Sequence, residues 1–250
     1  MLGPNGAGKS TLFLHLNGLF LPQKGKVRVL NQEITIRTEK WVKSKVGLVF
    51  QDPDDQVFSA TVKEDVAFGP FNMNLPEDQV EKRVKEALQA VQMVKYGDKL
   101  PYHLSHGQKK RVAIAGVLAM QPEVILLDEP TGYLDPKSKE TLMNILNNLH
   151  QQGTTIVIAT HDVDLAAHWA DRVIIIKEGQ TLAQGDTALL TDEDLIEEAN
   201  LCFPTVAQIF KQLPEIKAGY LPGNVNEAVA VLKAVLRKHG DGPFASLFRP

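Results

Sequence analysis

A chain of 250 residues has room for one large domain, or for one domain with a small appendage. With 44% hydrophobic and 23% charged residues it has the make-up of a globular protein, not of a disordered or fibrous one. A formal net charge of -3 lacks the basic excess of a dedicated nucleic-acid binder, so no nucleic-acid partner is expected, and the single cysteine, Cys202, excludes an internal disulfide framework.

In chain order, a helix is expected from Gly8 to a glycine stop at Gly18. Strands follow at residues 26–30 and 46–50. Two helices lie between Thr61 and Gln92, the second carrying Val80, Val84, Leu88 and Val91 on one stripe. Ser105 caps a further helix that runs to about Met120. Residues 124–127 and 155–159 are unbroken apolar runs, the pattern of strands covered on both faces. Residues 173–176 and 181–183 pair around Glu178-Gly179-Gln180, and an acidic helical stretch follows to Asn200. Cys202 reads as a small buried hydrophobe. An amphipathic helix closes the pattern at residues 226–237. Strands interleaved with helices of these lengths define an α/β fold with a mainly parallel sheet, over residues 1–190, and a small C-terminal appendage at 191–250. The longest apolar helix segment, residues 112–120, falls far short of the roughly 20 residues a membrane span needs. No basic-then-apolar leader follows Met1, so an intracellular protein is expected, one that meets a membrane through a partner.

The first motif is Gly3-Pro4-Asn5-Gly6-Ala7-Gly8-Lys9-Ser10-Thr11, which fits G-x-x-x-x-G-K-[ST]. Glycines let successive backbone N–H groups turn inward on a polyphosphate, and the following helix offers its positive end. Lys9 brings a compact charge to the β- and γ-phosphates, and the Ser10 hydroxyl is a Mg²⁺ ligand. ATP and Mg²⁺ are thus the expected ligands. The second motif is the apolar run at 124–127 ending in Asp128-Glu129. Ligands of open α/β sheets bind beyond the C-terminal ends of strands, which turns these acids toward the phosphate loop. Asp128 is then expected to hold Mg²⁺, and Glu129 to polarise the attacking water.

Leu104-Ser105-His106-Gly107-Gln108, ahead of Asp128, resembles the signature motif of the ATP-binding-cassette family of P-loop NTPases. Gln51 looks like that family's Q-loop glutamine, Thr131-Gly132-Tyr133-Leu134-Asp135 its D-loop and His161 its switch histidine, all in the family's order. The resemblance implies an inserted helical subdomain at about 61–120, and two such domains sandwiching two ATP molecules head to tail. It implies that Ser105, Gly107 and Gln108 meet the γ-phosphate held by the second ATPase subunit. It further implies that His161 positions the water, and that Gln51 reaches Mg²⁺ and reports to a transmembrane partner.

Residues 51–58, 61–70, 109–120 and 196–201 are similar to the energy-coupling-factor and cobalt/nickel importer ATPases. That likeness implies a peripheral subunit on the cytoplasmic side of the membrane, docked on a transmembrane coupling subunit beside a substrate-binding membrane protein. Cobalt or nickel is the first expectation for cargo, vitamins the second. A soluble cassette of DNA repair or translation, or a catalytically impaired regulatory subunit, are the rival readings. Coiled coils, zinc cysteines and a second cassette are lacking against the first rival, and Lys9, Asp128, Glu129 and His161 stand against the second. Two positions depart from the family pattern: His106 replaces a glycine, and Gly132-Tyr133 stand where alanine-glycine is usual. The family also carries strands and an adenine-stacking aromatic ahead of the phosphate loop, of which Met1 and Leu2 are the remnant here. A chain truncated in this way is expected to bind ATP weakly and to dissolve poorly.

Overall fold

The computed structural model describes residues 1–214, 216 and 220–238. The tail of the expected appendage, residues 239–250, lies outside them. The chain divides into two compact units: Lys9–Ala159, and Met1–Gly8 together with Thr160–Pro250.

The unit Lys9–Ala159 opens with helix α1 (Lys9–Leu16). The expected strand at 26–30 is shorter than its sequence pattern. It holds only β1 (Arg28–Val29), paired antiparallel with β2 (Gln32–Glu33), because Leu30 and Asn31 take φ of 50° and 63° and close a two-residue hairpin. Helix α2 (Glu39–Lys45) leads into β3 (Val46–Val49), whose four residues are all buried. Helix α3 (Val62–Asn72) is capped by the Thr61 hydroxyl. Helix α4 (Glu77–Ala90) buries Val80, Val84, Ala87 and Leu88 on the stripe that the sequence sets at helical spacing. Helix α5 (His106–Leu118) packs against α3 and α4 and reaches β3. Strand β4 (Val124–Asp128) runs in the middle of a parallel sheet ordered β3-β4-β5. Leu48 lies opposite Leu126 on one side, and Leu127 opposite Ile158 on the other. Ile125, Leu126 and Leu127 are essentially inaccessible. Each such side chain removed from water contributes about 1.5–3 kcal/mol, enough for three consecutive ones to fix this strand at the centre. Helix α6 (Pro136–Gln151) starts on an Asp135 cap and a Pro136 first turn, and buries Leu142, Ile145, Leu146 and Leu149. Strand β5 (Thr155–Ala159) completes the sheet.

In the other unit, helix α7 (Val163–Trp169) is capped by Asp162. Strands β6 (Val173–Lys177) and β7 (Gln180–Gly185) form the expected hairpin, turned by Glu178 and Gly179 at φ of 51° and 75°. Leu2, Val163, Val173, Ile175, Leu190 and Ile196 form its core. Helix α8 (Glu193–Glu198) accepts the Lys177 ammonium at the Glu198 carbonyl, 2.5 Å away. Helices α9 (Thr205–Lys211) and α10 (Val225–Lys238) share a smaller cluster of Phe210, Ala228 and Val231. Cys202 corrects the expectation of a buried thiol: it is exposed, because it lies in the irregular stretch between α8 and α9 and not on a packed face. Among the described residues no helix is long and apolar enough to cross a membrane.

Candidate functional site

Leu2 is fully buried, and its N–H and C=O are bonded to Ile174 O and Ile176 N at 2.8 Å each. The Met1 carbonyl accepts from Thr160 N at 3.0 Å, so the two residues preceding the glycine loop are pinned on both sides. The loop then needs glycine for two separate reasons. A Cβ on Gly3 would sit 2.2 Å from the Ile176 carbonyl oxygen, so the close approach of backbone to backbone excludes any side chain. Gly6 and Gly8 have φ of 81° and 97°, a left-handed backbone that turns N–H groups to one side. The Ala7 carbonyl accepts from Gly179 N at 3.0 Å, which holds the loop on the turn of the β6–β7 hairpin. His161 is exposed in this same unit, between buried Thr160 and the Asp162 cap, whose N–H donates to Thr160 Oγ1 at 3.0 Å.

In the unit Lys9–Ala159, α1 begins at Lys9 itself, and Lys9 is buried although charged. Its neighbour Ser10 is hydrogen-bonded through its side chain to Asp128, the last residue of β4. Asp128 has its carboxyl pushed up by burial and by the charge of Glu129. The Ser10 hydrogen bond and the Lys9 and Lys110 ammonium groups oppose that shift without overcoming it. Glu129 is buried as well, bonds Ala159 O through its N–H at 2.9 Å and has φ of 42°. For a residue with a Cβ that is a strained backbone costing about 1–3 kcal/mol, and such strain gathers at functional sites. Lys9, Ser10, Asp128 and Glu129 are thus brought together at the C-terminal end of the central strand, as the spacing implies.

Gln51 lies in the loop after β3, which Asp52 shapes by capping the turn Pro53–Asp55 through Asp54 N at 3.0 Å. A cavity of about 370 Å³ is lined by Phe50, Gln51, Asp52, Asp55, His106, Asp128 and Tyr133. Gln51 and Asp128 therefore face one space. Ser105 and Gln108 form a reciprocal capping box at the start of α5, with Gln108 N donating to Ser105 Oγ at 3.3 Å and Ser105 N to Gln108 Oε1 at 3.0 Å. Used as an acceptor in that cap, the Ser105 hydroxyl keeps its own proton for an outside acceptor. A Cβ on Gly107 would press on Ser138 Oγ at 3.1 Å. The two departures from the family pattern meet each other: the rings of His106 and Tyr133 lie edge to face, 6.2 Å apart.

Two charged residues were not singled out as functional by the sequence. Lys110 is fully buried, and its ammonium donates to the Gln51 carbonyl. Burial pulls Lys110 down to about 8, against the opposing charges of Asp52, Asp128 and Glu129. The signal available was its register, because Lys110 shares one helical face with Ile114 and Val117, both buried. Asp65 on α3 accepts from Phe58 N at 2.9 Å and Ser59 N at 2.6 Å and ties down the loop ahead of its own helix.

A glycine loop continuing into a buried lysine, with a Ser10–Asp128 pair at the end of a central parallel strand, defines a nucleotide-binding P-loop NTPase. Residues 1–132 match the family model described as ABC transporter, and the chain belongs to that family. It is 47% identical over 233 residues to the energy-coupling factor transporter ATP-binding protein EcfA of Carboxydothermus hydrogenoformans, covering 93% of this chain and 86% of that protein. Identity to the protein of the same name from Methanocaldococcus jannaschii is 51% over 237 residues, covering 92% and 85%. Among solved structures it is similar to cbiO1 of Clostridium perfringens, described as part of the ABC transporter complex cbiONQ. The TM-score is 0.71 at 42% identity, covering 84% of this chain and 85% of that one. A dimeric ATP-binding cassette bound to ADP and Pi in a post-hydrolysis state gives 0.66 at 31% identity, covering 74% and 83%. The chain is therefore an ATP-hydrolysing subunit of the energy-coupling-factor type of ABC importer.

Proposed function

We propose that this chain binds and hydrolyses MgATP at a seam between two ATPase subunits, and so drives an importer of Co²⁺ or Ni²⁺ from the cytoplasmic side of the membrane. The observation that carries the chemistry is the Ser10–Asp128 hydrogen bond with Lys9 and Glu129 beside it. Gly3, Pro4, Asn5, Gly6, Ala7, Gly8, Lys9, Ser10 and Thr11 cradle the phosphates. Ser10, Asp128 and Gln51 offer hard oxygen donors, the kind Mg²⁺ takes alongside phosphate oxygens, so the residues fit that ion. When bound, Mg²⁺ neutralises charge on the phosphates. Glu129 accepts a proton as a water oxygen bonds to the γ-phosphorus, and the bond from that phosphorus to the bridging oxygen breaks, giving ADP and phosphate. Gln51 and His161 orient the water, and Ser105, Gly107 and Gln108 meet the γ-phosphate held by the second subunit.

The membrane partner is a transmembrane coupling subunit with a substrate-binding membrane protein. What supports it is an apolar surface at the end of the Gln51 loop, where Phe58 and Phe68 are both exposed and their rings stack edge to face at 5.1 Å. The test of the chemistry is Glu129→Gln. Turnover collapses while ATP-bound dimers accumulate on size-exclusion chromatography, and persistent turnover removes Glu129 as the base. Cargo is read from uptake of labelled cobalt, nickel and vitamins by cells carrying the chain with its membrane subunits. Vitamin uptake alone overturns the metal-ion reading.

A further inference from the structure

Near its start α5 carries two adjacent lysines, Lys109 and Lys110, and both reach the same loop. Lys110 points inward, is wholly shielded from water and donates to the carbonyl of Gln51. Lys109, one residue earlier, holds Asp54 Oδ1 at 2.6 Å and is itself largely covered. The loop they grip is closed on itself. Gln56 Nε2 donates to Leu48 O and Gln56 Oε1 accepts from Phe50 N, both at 3.1 Å, so the strand end and the turn form one ring of bonds. That ring has two points of attachment to α5, at Gln51 and at Asp54, and α5 begins at the Ser105 cap.

A backbone carbonyl needs only a neutral donor. An ammonium buried there is an expensive choice unless further negative charge stabilises it. That charge is present: Asp52 comes from the loop, and Asp128 and Glu129 from the end of β4. Lys110 thus stands at the meeting point of the loop, the helix and the two carboxylates of the central strand.

We infer that Lys110, with Lys109 beside it, is a positioning latch that ties the Gln51 loop to the helix capped by Ser105, so that the Gln51 amide and the Ser105 hydroxyl are placed together. A push on the loop then moves Ser105, and a displaced Ser105 pulls on Gln51. The inference rests on the reading of Gln51, Ser105 and Glu129 as groups of the nucleotide site.

The test uses the full chain with Lys110→Met, which keeps the length of the side chain and removes its charge and donor. ATP turnover and the binding of a fluorescent ATP analogue are followed together with the distance between spin labels. The labels sit at Asp55→Cys and Lys85→Cys in a Cys202→Ser background. The latch predicts a kcat at least tenfold lower, a KM for ATP within twofold of the parent, and a label distance distribution that broadens. A kcat within twofold of the parent overturns it, and so does a lower kcat with an unchanged distribution. If Lys110→Met does not fold, the outer tie decides. Lys109→Glu broadens the distribution, and adding Asp54→Lys narrows it again; a swap that restores nothing overturns the latch. Glu129→Gln run alongside separates the two readings. Turnover that survives it defeats the assignment of the site, whereas its collapse beside a normal Lys110→Met defeats the latch alone.

Discussion

His106 and Tyr133 touch edge to face with ring centroids 6.2 Å apart, although each stands where the family pattern has a small residue. The contact closes one side of the cavity that Gln51 and Asp128 also line. An aromatic pair of this geometry contributes about 0.5–1.5 kcal/mol beyond area burial. Tyr133 is 87% exposed, which puts this pair at the lower end. A double-mutant cycle of His106→Ala and Tyr133→Ala, read by urea unfolding, is expected to give a coupling of about 0.5 kcal/mol. Alanine at 133 keeps the left-handed backbone at φ of 59°, so the backbone contribution cancels and the ring is what is measured. Additive single effects would show that the two departures are independent.

Gly3 and Gly6 are predicted to fail differently. Alanine at Gly3 drives a methyl to 2.2 Å from the Ile176 carbonyl, a backbone atom that cannot swing aside. The cost belongs at the upper end of the about 1–3 kcal/mol for overpacking. Alanine at Gly6 meets nothing within 4 Å and suffers only the left-handed backbone, about 1 kcal/mol once the stiffer unfolded chain is counted. Urea midpoints of the two variants order them, and a Gly6→Ala loss equal to or larger than that of Gly3→Ala contradicts the steric account.

The parts of this molecule legible in its sequence are those set by neighbours in the chain. Val124 to Leu127 announce a doubly covered strand by four apolar residues in a row, and the glycine loop announces itself by spacing. The Ser105–Gln108 capping box is likewise local, two residues three apart. What stayed hidden needed the tertiary fold. His106 and Tyr133 are far apart in sequence, and nothing local marks them as a pair. Lys110 sits inside the basic run Lys109-Lys110-Arg111, and only its register with Ile114 and Val117 sets it apart as the one that packing buries completely. The strand at 26–30 was cut short by Leu30 taking a positive φ, a conformation that a leucine gives no reason to expect.

Asp65 carries a pH dependence whose sign can be worked out. Burial raises its carboxyl above the ordinary range, and the N–H groups of Ser59 and Phe58 oppose that without cancelling it. A raised folded-state value means the folded chain holds the proton more tightly. Its contribution is then full below the unfolded value of about 3.9 and is lost as the pH rises through the folded value. Asp65→Asn removes that loss, so the stability of Asp65→Asn relative to the parent climbs from pH 4 toward neutrality in urea titrations. Asp65→Ala instead leaves the Phe58 and Ser59 N–H groups without their acceptor, a partly buried pair whose loss costs about 1 kcal/mol at every pH. A parent-to-Asn difference that does not change with pH would refute the linkage.

In its proposed role as a Mg²⁺ ligand, Asp128 sets the requirement of catalysis against that of folding. Burial is the largest influence on its carboxyl, and the net shift is upward in spite of Ser10, Lys9 and Lys110. The charged form is therefore held at a cost in the unliganded protein, and that cost grows as the pH rises through the folded value. Asp128→Asn keeps the shape and an acceptor for Ser10 while removing the buried charge. Without nucleotide it is expected to be more stable than the parent at pH 7 by of order 1 kcal/mol, the usual yield of a single stabilising change, or about 2–4 °C in Tm. Magnesium-dependent ATP turnover is lost in the same variant. Thermal melts in buffer containing a chelator, set beside turnover assays with excess Mg²⁺, read both effects. A destabilised Asp128→Asn chain would mean that the attraction of Lys9 and Lys110 outweighs burial, reversing the electrostatic account of the site.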